Sequence, residues 1–211
     1  MLTRRTFLTT GVAAAATLAA APSSFAAGAG QITKLSGKAI ALVGTTERAL
    51  AVGAPVAVND LIQTAANSRL AMKLGDDTFI NLGPSTKLRI EPHLVDVGGQ
   101  FDLIDGSVLM EHTRPAGRQP HKAELKSPYG LIAVRGTKFF AGPSQGKFAV
   151  FVEEGRVDLI TKQTTVALTP GFGSDVARRG DAATTAVRWA AARSRAAYLL
   201  TTGLPPAAKT R

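Results

Sequence analysis

From Ile32 to Leu168 apolar residues recur at every second position, in short runs broken by Gly, Pro and Asp. An α-helix repeats near 3.6 residues and cannot gather such a pattern on one face. A pleated strand, whose side chains alternate between faces, can. Ser68 to Leu74 is the cleanest case: Leu70, Met72 and Leu74 face one way, Arg69, Ala71 and Lys73 the other. Thr78 to Leu82 sets Phe79 opposite Ile80 and Leu82, and Gly75-Asp76-Asp77 between the two runs reads as a tight hairpin turn. Further strands are expected at Lys38–Val43, Lys87–Ile90, Gln100–Ile104, Ser107–Met110, Ala123–Lys126, Leu131–Val134, Lys138–Ala141, Lys147–Val152, Arg156–Thr161 and Thr165–Leu168. Gly142 to Gly146 and Glu153-Glu154-Gly155 read as turns, and the Pro- and Gly-bearing stretch Thr113 to Lys122 as a loop. Gly37, Gly106 and Gly155 each precede a short apolar strand, but at unequal intervals, so there is no regular repeat array. The expectation is an all-β fold of short, largely antiparallel strands, in two packed sheets or a compact irregular β-solenoid, plus one C-terminal helix.

That helix is expected from Asp181 to Leu200, a stretch rich in Ala and Arg and free of Gly and Pro. Asp181 can cap its start, and Ala182, Ala186, Trp189, Ala192, Ala196 and Leu199 share one face. The narrow alanine stripe suits docking on the β domain better than insertion into an anionic membrane surface, which is the rival reading. Arg188, Arg193 and Arg195 are assigned to the other faces, and Gly203 ends the helix.

The N-terminus reads as an export signal, not as part of the fold. Thr3-Arg4-Arg5-Thr6-Phe7-Leu8-Thr9 resembles the twin-arginine motif, with Thr9 where Lys is common, so the general secretory route stays open. Leu8 to Ala21 is apolar but shorter than the roughly 18 to 20 residues that span a bilayer. Ser24-Phe25-Ala26 has small residues at its outer positions and places cleavage after Ala26. The expected organisation is an export signal over 1–26, a β domain over 27–176, and a basic helix and tail over 177–211, located in the periplasm. The chain has no cysteine, so it must be stable by packing alone, without disulfides or thiol chemistry. Its net charge is +10, and only Arg4 and Arg5 of its 25 Lys and Arg lie in the signal. For an exported chain such a balance favours anionic envelope surfaces over nucleic acid.

Catalytic machinery is not evident. His93, His112 and His121 have no metal-ligand spacing, and His112 with His121 lacks a third ligand, so no metal or cofactor is expected. Asp76-Asp77 and Glu153-Glu154 are adjacent pairs, and neighbouring carboxylates on a strand or turn point apart. There is no nucleophile elbow and no phosphate-binding glycine loop. The distinctive segment is Arg135-Gly136-Thr137, where a glycine interrupts strand-like sequence on both sides. Such a glycine marks a bulge or a close backbone approach. Arg135 or Thr137 then either locks neighbouring layers together or, in the case of Arg135, meets an acidic partner. Tyr129, in the Ser127–Gly130 turn just before it, is a further candidate contact.

In order along the chain stand Asn59-Asp60-Leu61-Ile62-Gln63-Thr64, Ser68-Arg69-Leu70, Leu82-Gly83-Pro84-Ser85-Thr86, Asp105-Gly106-Ser107-Val108, Ser127-Pro128-Tyr129-Gly130, Val134-Arg135-Gly136-Thr137-Lys138-Phe139 and Glu153-Glu154-Gly155-Arg156-Val157. This succession closely resembles the FecR domain, the periplasmic sensing domain of bacterial cell-surface signalling regulators. The resemblance implies a non-enzymatic sensing or scaffolding module that binds an envelope protein partner through exposed strand edges. Relatives often regulate a sigma factor through a cytoplasmic segment and one transmembrane helix, and this chain shows neither. The alternative is a glycan- or peptidoglycan-binding module, for which Trp189, Tyr129 and Tyr198 are the candidate aromatic platforms.

Overall fold

The alternating runs become strands whose buried positions face one core. A computed structural model describes residues 29–91, 99–112 and 123–206. In β6 (Arg69–Leu74) Leu70, Met72 and Leu74 are buried, and in β7 (Thr78–Leu82) Ile80 and Leu82 are buried while Phe79 is exposed. The turn joining them is the Gly75–Asp77 segment, where the Thr78 hydroxyl donates to the Asp77 carboxylate at 3.1 Å. Ahead of this hairpin lie β1 (Gly30–Ser36), β2 (Ala39–Val43), β3 (Thr46–Ala49), β4 (Pro55–Val56) and β5 (Leu61–Thr64). After it come β8 (Lys87–Ile90), β9 (Gln100–Asp105), β10 (Val108–His112), β11 (Ala123–Ser127), β12 (Gly130–Ser144), β13 (Lys147–Ile160), β14 (Thr165–Leu168), β15 (Phe172–Val176) and β16 (Val187–Arg188).

The expectation of two packed sheets or an irregular solenoid is corrected: among the described residues hydrogen bonding runs without a break through one 16-stranded mixed sheet. The reason is the long hairpin of β12 and β13. Sequence reading divided it at Arg135–Thr137 and at Glu153–Gly155, but both strands run through. The first half of β12 pairs with β11 and the second half with β10. One arm of the sheet therefore continues through β11, β9, β8, β5, β2 and β3, and the other through β10, β7, β6, β1 and β4. Every pairing is antiparallel except β9 with β11. Along a straight strand of this length Tyr129 and Phe148 would lie roughly 45 Å apart. Their rings instead stack with centroids 4.5 Å apart and planes 4° apart. The hairpin doubles back, and the two arms close over one core that includes Ile62, Leu88 and Leu103 from the first and Met72, Ile80 and Met110 from the second.

The chain changes arms at short corners, and there the buried polar residues collect. Thr64, Ser68, Thr86 and Ser107 are all buried. The Thr64 hydroxyl donates to the Gly83 carbonyl at 2.6 Å and accepts the Thr86 N–H at 2.9 Å. The Thr86 hydroxyl accepts the Ser107 N–H at 3.0 Å, and the Ser68 hydroxyl accepts the Lys38 N–H at 2.8 Å. These bonds satisfy corner backbone groups that neither the sheet ladder nor water reaches. Gly106 sits in this column because a side chain there would collide with Thr86.

The C-terminal helix is shorter and later than expected. It spans Ala191–Thr202, is preceded by Ala190 without a side-chain cap, and ends at Gly203, whose N–H bonds to Leu199. Asp181 caps nothing helical: it closes a turn over 178–180, and the chain from 181 to 190 forms no helix. The Ala183 N–H reaches the Thr164 hydroxyl at 3.0 Å, and Val187–Arg188 pair with β15. Trp189 stacks on Phe151 at 4.7 Å, over Gly173, where any side chain would strike the indole. Tertiary packing here overrides the helical propensity of the alanines. Helix α1 (Ala191–Thr202) lies across β6, β7, β10 and β12. With Trp189 it covers Leu109, Phe140, Ala149 and Phe151 on the outer face, so Phe148 to Val152 are buried on both sides. Arg193 is not on an outward face: it bonds Ser144 at 3.0 Å and Asp175 at 2.6 Å, with its guanidinium 3.9 Å from the Trp189 ring centroid.

Two outcomes are expected. Thr86→Val keeps the shape but strands the Ser107 N–H, which should cost roughly 1 to 3 kcal/mol, read as a lower urea midpoint at unchanged slope. Trp189, the only tryptophan, should emit at blue-shifted wavelengths without lipid, be indifferent to anionic vesicles, and move red at the same midpoint as the far-ultraviolet circular dichroism.

Candidate functional site

Arg135-Gly136-Thr137 forms the bend that lets the long hairpin double back. The pairing Arg135 with Arg156 gives way to Lys138 with Glu154, and then to Phe139 with Val152. One extra residue therefore lies on β12, and a compensating one, Glu153, on β13. Paired bulges of this kind bend a ribbon sharply and raise its twist. Gly136 adopts φ 57° although a side chain there would meet nothing within 4 Å. Its constraint is conformational. Gly155 across the ribbon has φ 80°, and a side chain there would run into the Gly136 carbonyl and Thr137. Thr137 is buried and its hydroxyl has no hydrogen-bond partner among the described residues, so it is no surface contact. Glu153 and Glu154, expected in a turn, instead lie within the strand at this bend. The Lys138 ammonium lies 3.5 Å from both the Glu111 and the Glu153 carboxylates.

Tyr129 stands at the opposite end of the folded hairpin. The Ser127 hydroxyl shapes its turn, donating to the Gly130 carbonyl at 2.9 Å and accepting the Tyr129 N–H at 3.2 Å. Phe148 covers one side of the half-buried Tyr129 ring, and the Arg179 guanidinium lies 6.0 Å from its centroid. Cavities of about 260 and 300 Å³ flank the tyrosine. The first is lined by Leu103, Ile104, Pro143 and Phe148, and exposed Lys147, Lys162 and Arg179 stand at the rims of the two. The structure thus separates Tyr129 from Arg135–Thr137, which the chain order had left close together.

His112 is buried, with its Nδ1 2.9 Å from the Thr78 hydroxyl, while His93 and His121 lie outside the described residues, as do Arg4, Arg5 and Ala26. Among the described residues no group of three or more His, Asp or Glu converges as a metal site would require. The Asp102 carboxyl on β9 is perturbed by its surroundings. Partial burial raises it above the ordinary range, Glu91 adds to the rise, and Arg89 and Lys126 oppose it. Among the described residues no helix is long and apolar enough to cross a membrane.

Residues 60–158, from the buried Asp60 to the strand beyond the bend, match the FecR protein family. The chain carries a FecR domain. The matched segment holds both the corner column and the bent hairpin, the two features that shape the sheet. No curated protein matches the chain in sequence. Two solved structures, each of a candidate anti-sigma factor from Parabacteroides distasonis, resemble it. One is 16% identical with a TM-score of 0.55, covering 65% of this chain and 62% of the other. The second is 18% identical with a TM-score of 0.49, covering 58% of each chain. The chain therefore spans about six-tenths of the length of these structures, and at such identity the likeness shows the fold alone.

The bend predicts an order of sensitivities. Gly136→Val should destabilise by roughly 1 to 3 kcal/mol through backbone strain alone. Gly155→Val adds collision with the facing backbone and should destabilise more in the same denaturant titration.

Proposed function

We propose that the chain is a periplasmic FecR-like sensing or scaffolding module that acts by binding another envelope protein, not by catalysis. The match of residues 60–158 to the FecR family carries this reading, and the regulatory description of its structural neighbours accords with it. In this proposal the Tyr129 clefts are the partner contact, because they join an apolar floor to the basic rim of Lys147, Lys162 and Arg179. Such a surface suits an acidic segment of a partner. Arg135, Gly136 and Thr137 act indirectly, by holding the hairpin bent so that Tyr129 meets Phe148. The glycan alternative is less well supported. Trp189 and Tyr198 are both buried, and Phe148 covers one side of Tyr129, so the expected aromatic platforms are not open.

Location and contact are tested separately. Replacing Arg4 and Arg5 with Lys should leave uncleaved precursor in the cytoplasm, and unchanged periplasmic accumulation rejects the twin-arginine route. The double reversal Lys162→Glu with Arg179→Glu should leave the melting temperature near that of the parent, since both side chains are exposed. It should also fail to restore the transcript profile of a strain deleted for this gene. Full restoration would remove the Tyr129 clefts from the mechanism.

A further inference from the structure

The two clefts beside Tyr129 differ in chemistry, and the difference constrains what can fill them. They share only Pro128 and Tyr129 among their lining residues, so the tyrosine belongs to the wall between them. The first, of about 260 Å³, has Leu103, Ile104, Pro143 and Phe148 along its sides. Its one acidic residue, Asp105, is turned to the backbone and accepts the Gly106 N–H at 2.8 Å. The second, of about 300 Å³, has no acidic lining residue and carries both Lys162 and Arg179.

These cations stand on turns that are set beforehand. The Thr161 hydroxyl accepts the Gln163 N–H at 3.2 Å and the Thr164 N–H at 3.0 Å, closing the turn that bears Lys162. The Gln163 side chain donates to the Gly180 carbonyl at 2.9 Å, tying that turn to the one that bears Arg179. Among the described residues neither cation is ion-paired. A preset backbone lowers the ordering cost of meeting an anion. An extended chain sets alternate side chains on one face, about 7 Å apart. That spacing lets it straddle a single side chain such as Tyr129 and enter both clefts.

We infer that the clefts read a two-part motif in an extended segment of a partner protein. A large apolar side chain sits against Leu103 and Phe148, and a carboxylate two residues away is held by Lys162 and Arg179. This rests on the reading of the clefts as the partner contact and adds the sequence they select. Charge alone leaves the first cleft unfilled, and apolar burial alone leaves the two cations without a counter-charge.

Random peptides displayed on phage are selected on the purified chain. The enriched consensus is then made as a fluorescently labelled peptide, and its binding is measured by anisotropy. The consensus should place a large apolar residue two positions from Asp or Glu. Changing the acid to its amide, changing the apolar residue to Gly, or scrambling the order should each weaken binding about tenfold or more. Ile104→Gln should weaken the consensus peptide without further weakening the Gly-substituted one. Lys162→Glu with Arg179→Glu should weaken the consensus peptide without further weakening the amide form. Each variant thus loses its response to one half of the motif, which a folding defect cannot imitate. An acidic consensus with no apolar position, or a scrambled peptide that binds equally well, overturns the two-part motif and leaves the acidic contact standing. A selection that yields no consensus, or a consensus peptide indifferent to the double reversal, removes the clefts as a partner contact altogether.

Discussion

The hydroxyl column of Ser68, Thr64, Thr86 and Ser107 is the constraint on which the rest depends. At each corner the chain leaves one arm of the sheet and enters the other, so its backbone falls out of register with every ladder. Those N–H and C=O groups are buried, and unpaired they would oppose folding by several kcal/mol together. Short hydroxyl side chains are the right tool, because one oxygen both donates and accepts within a turn. With the corners satisfied, the arms are held face to face and the alternating Leu, Ile, Met and Val close a common core. The Gly83-Pro84-Ser85-Thr86 and Asp105-Gly106-Ser107 segments thus owe their composition to this column.

The bend at Gly136 and Gly155 works against the opposite edge of the same architecture. It turns a hairpin that would otherwise be a long flat ribbon into a clasp, and Tyr129 against Phe148 is where the clasp shuts. The helix is a separate addition. It covers the outer face of the strands that carry the bend, and Arg193 pins its start to Ser144 and Asp175 while the Arg69 guanidinium bonds the Leu200 carbonyl near its end at 2.9 Å. A FecR domain built this way offers two chemically different recesses at the clasp, an apolar one and a basic one, with Tyr129 between them.

Much of this was legible in the sequence, and the failures have physical causes. Period-two alternation located most strands, because each buries one face. The strands expected at Lys138–Ala141 and Lys147–Val152 are also present, but there the helix buries the second face and the apolar run is continuous, so alternation does not show which face meets the core. Glu153-Glu154-Gly155 looked like a turn because acidic residues with glycine usually are one. A bulge uses the same backbone chemistry inside a strand, and nothing local separates the two. The expected helix begins ten residues early, since alanine spacing cannot reveal that Trp189 has a niche over Gly173. Tyr129 and the Arg135–Thr137 segment stood out individually, but their placement at opposite ends of a folded hairpin follows from pairing, not from spacing. The clefts beside Tyr129 had no sequence signal, since Leu103, Phe148, Lys162 and Arg179 converge only through tertiary packing.

The doubled-back hairpin also has a consequence in time. Strands β10 and β11 belong to different arms, and what joins them is β12, which arrives later in the chain. Until residue 144 is available both β10 and β11 end in an unpaired edge, the kind of surface that recruits foreign strands. Because these pairings span long stretches of sequence, closure is slow compared with forming any single hairpin. A nascent chain arrested before β12 is therefore two adhesive half-sheets, and the stretch from Gly130 to Ser144 decides when they become one.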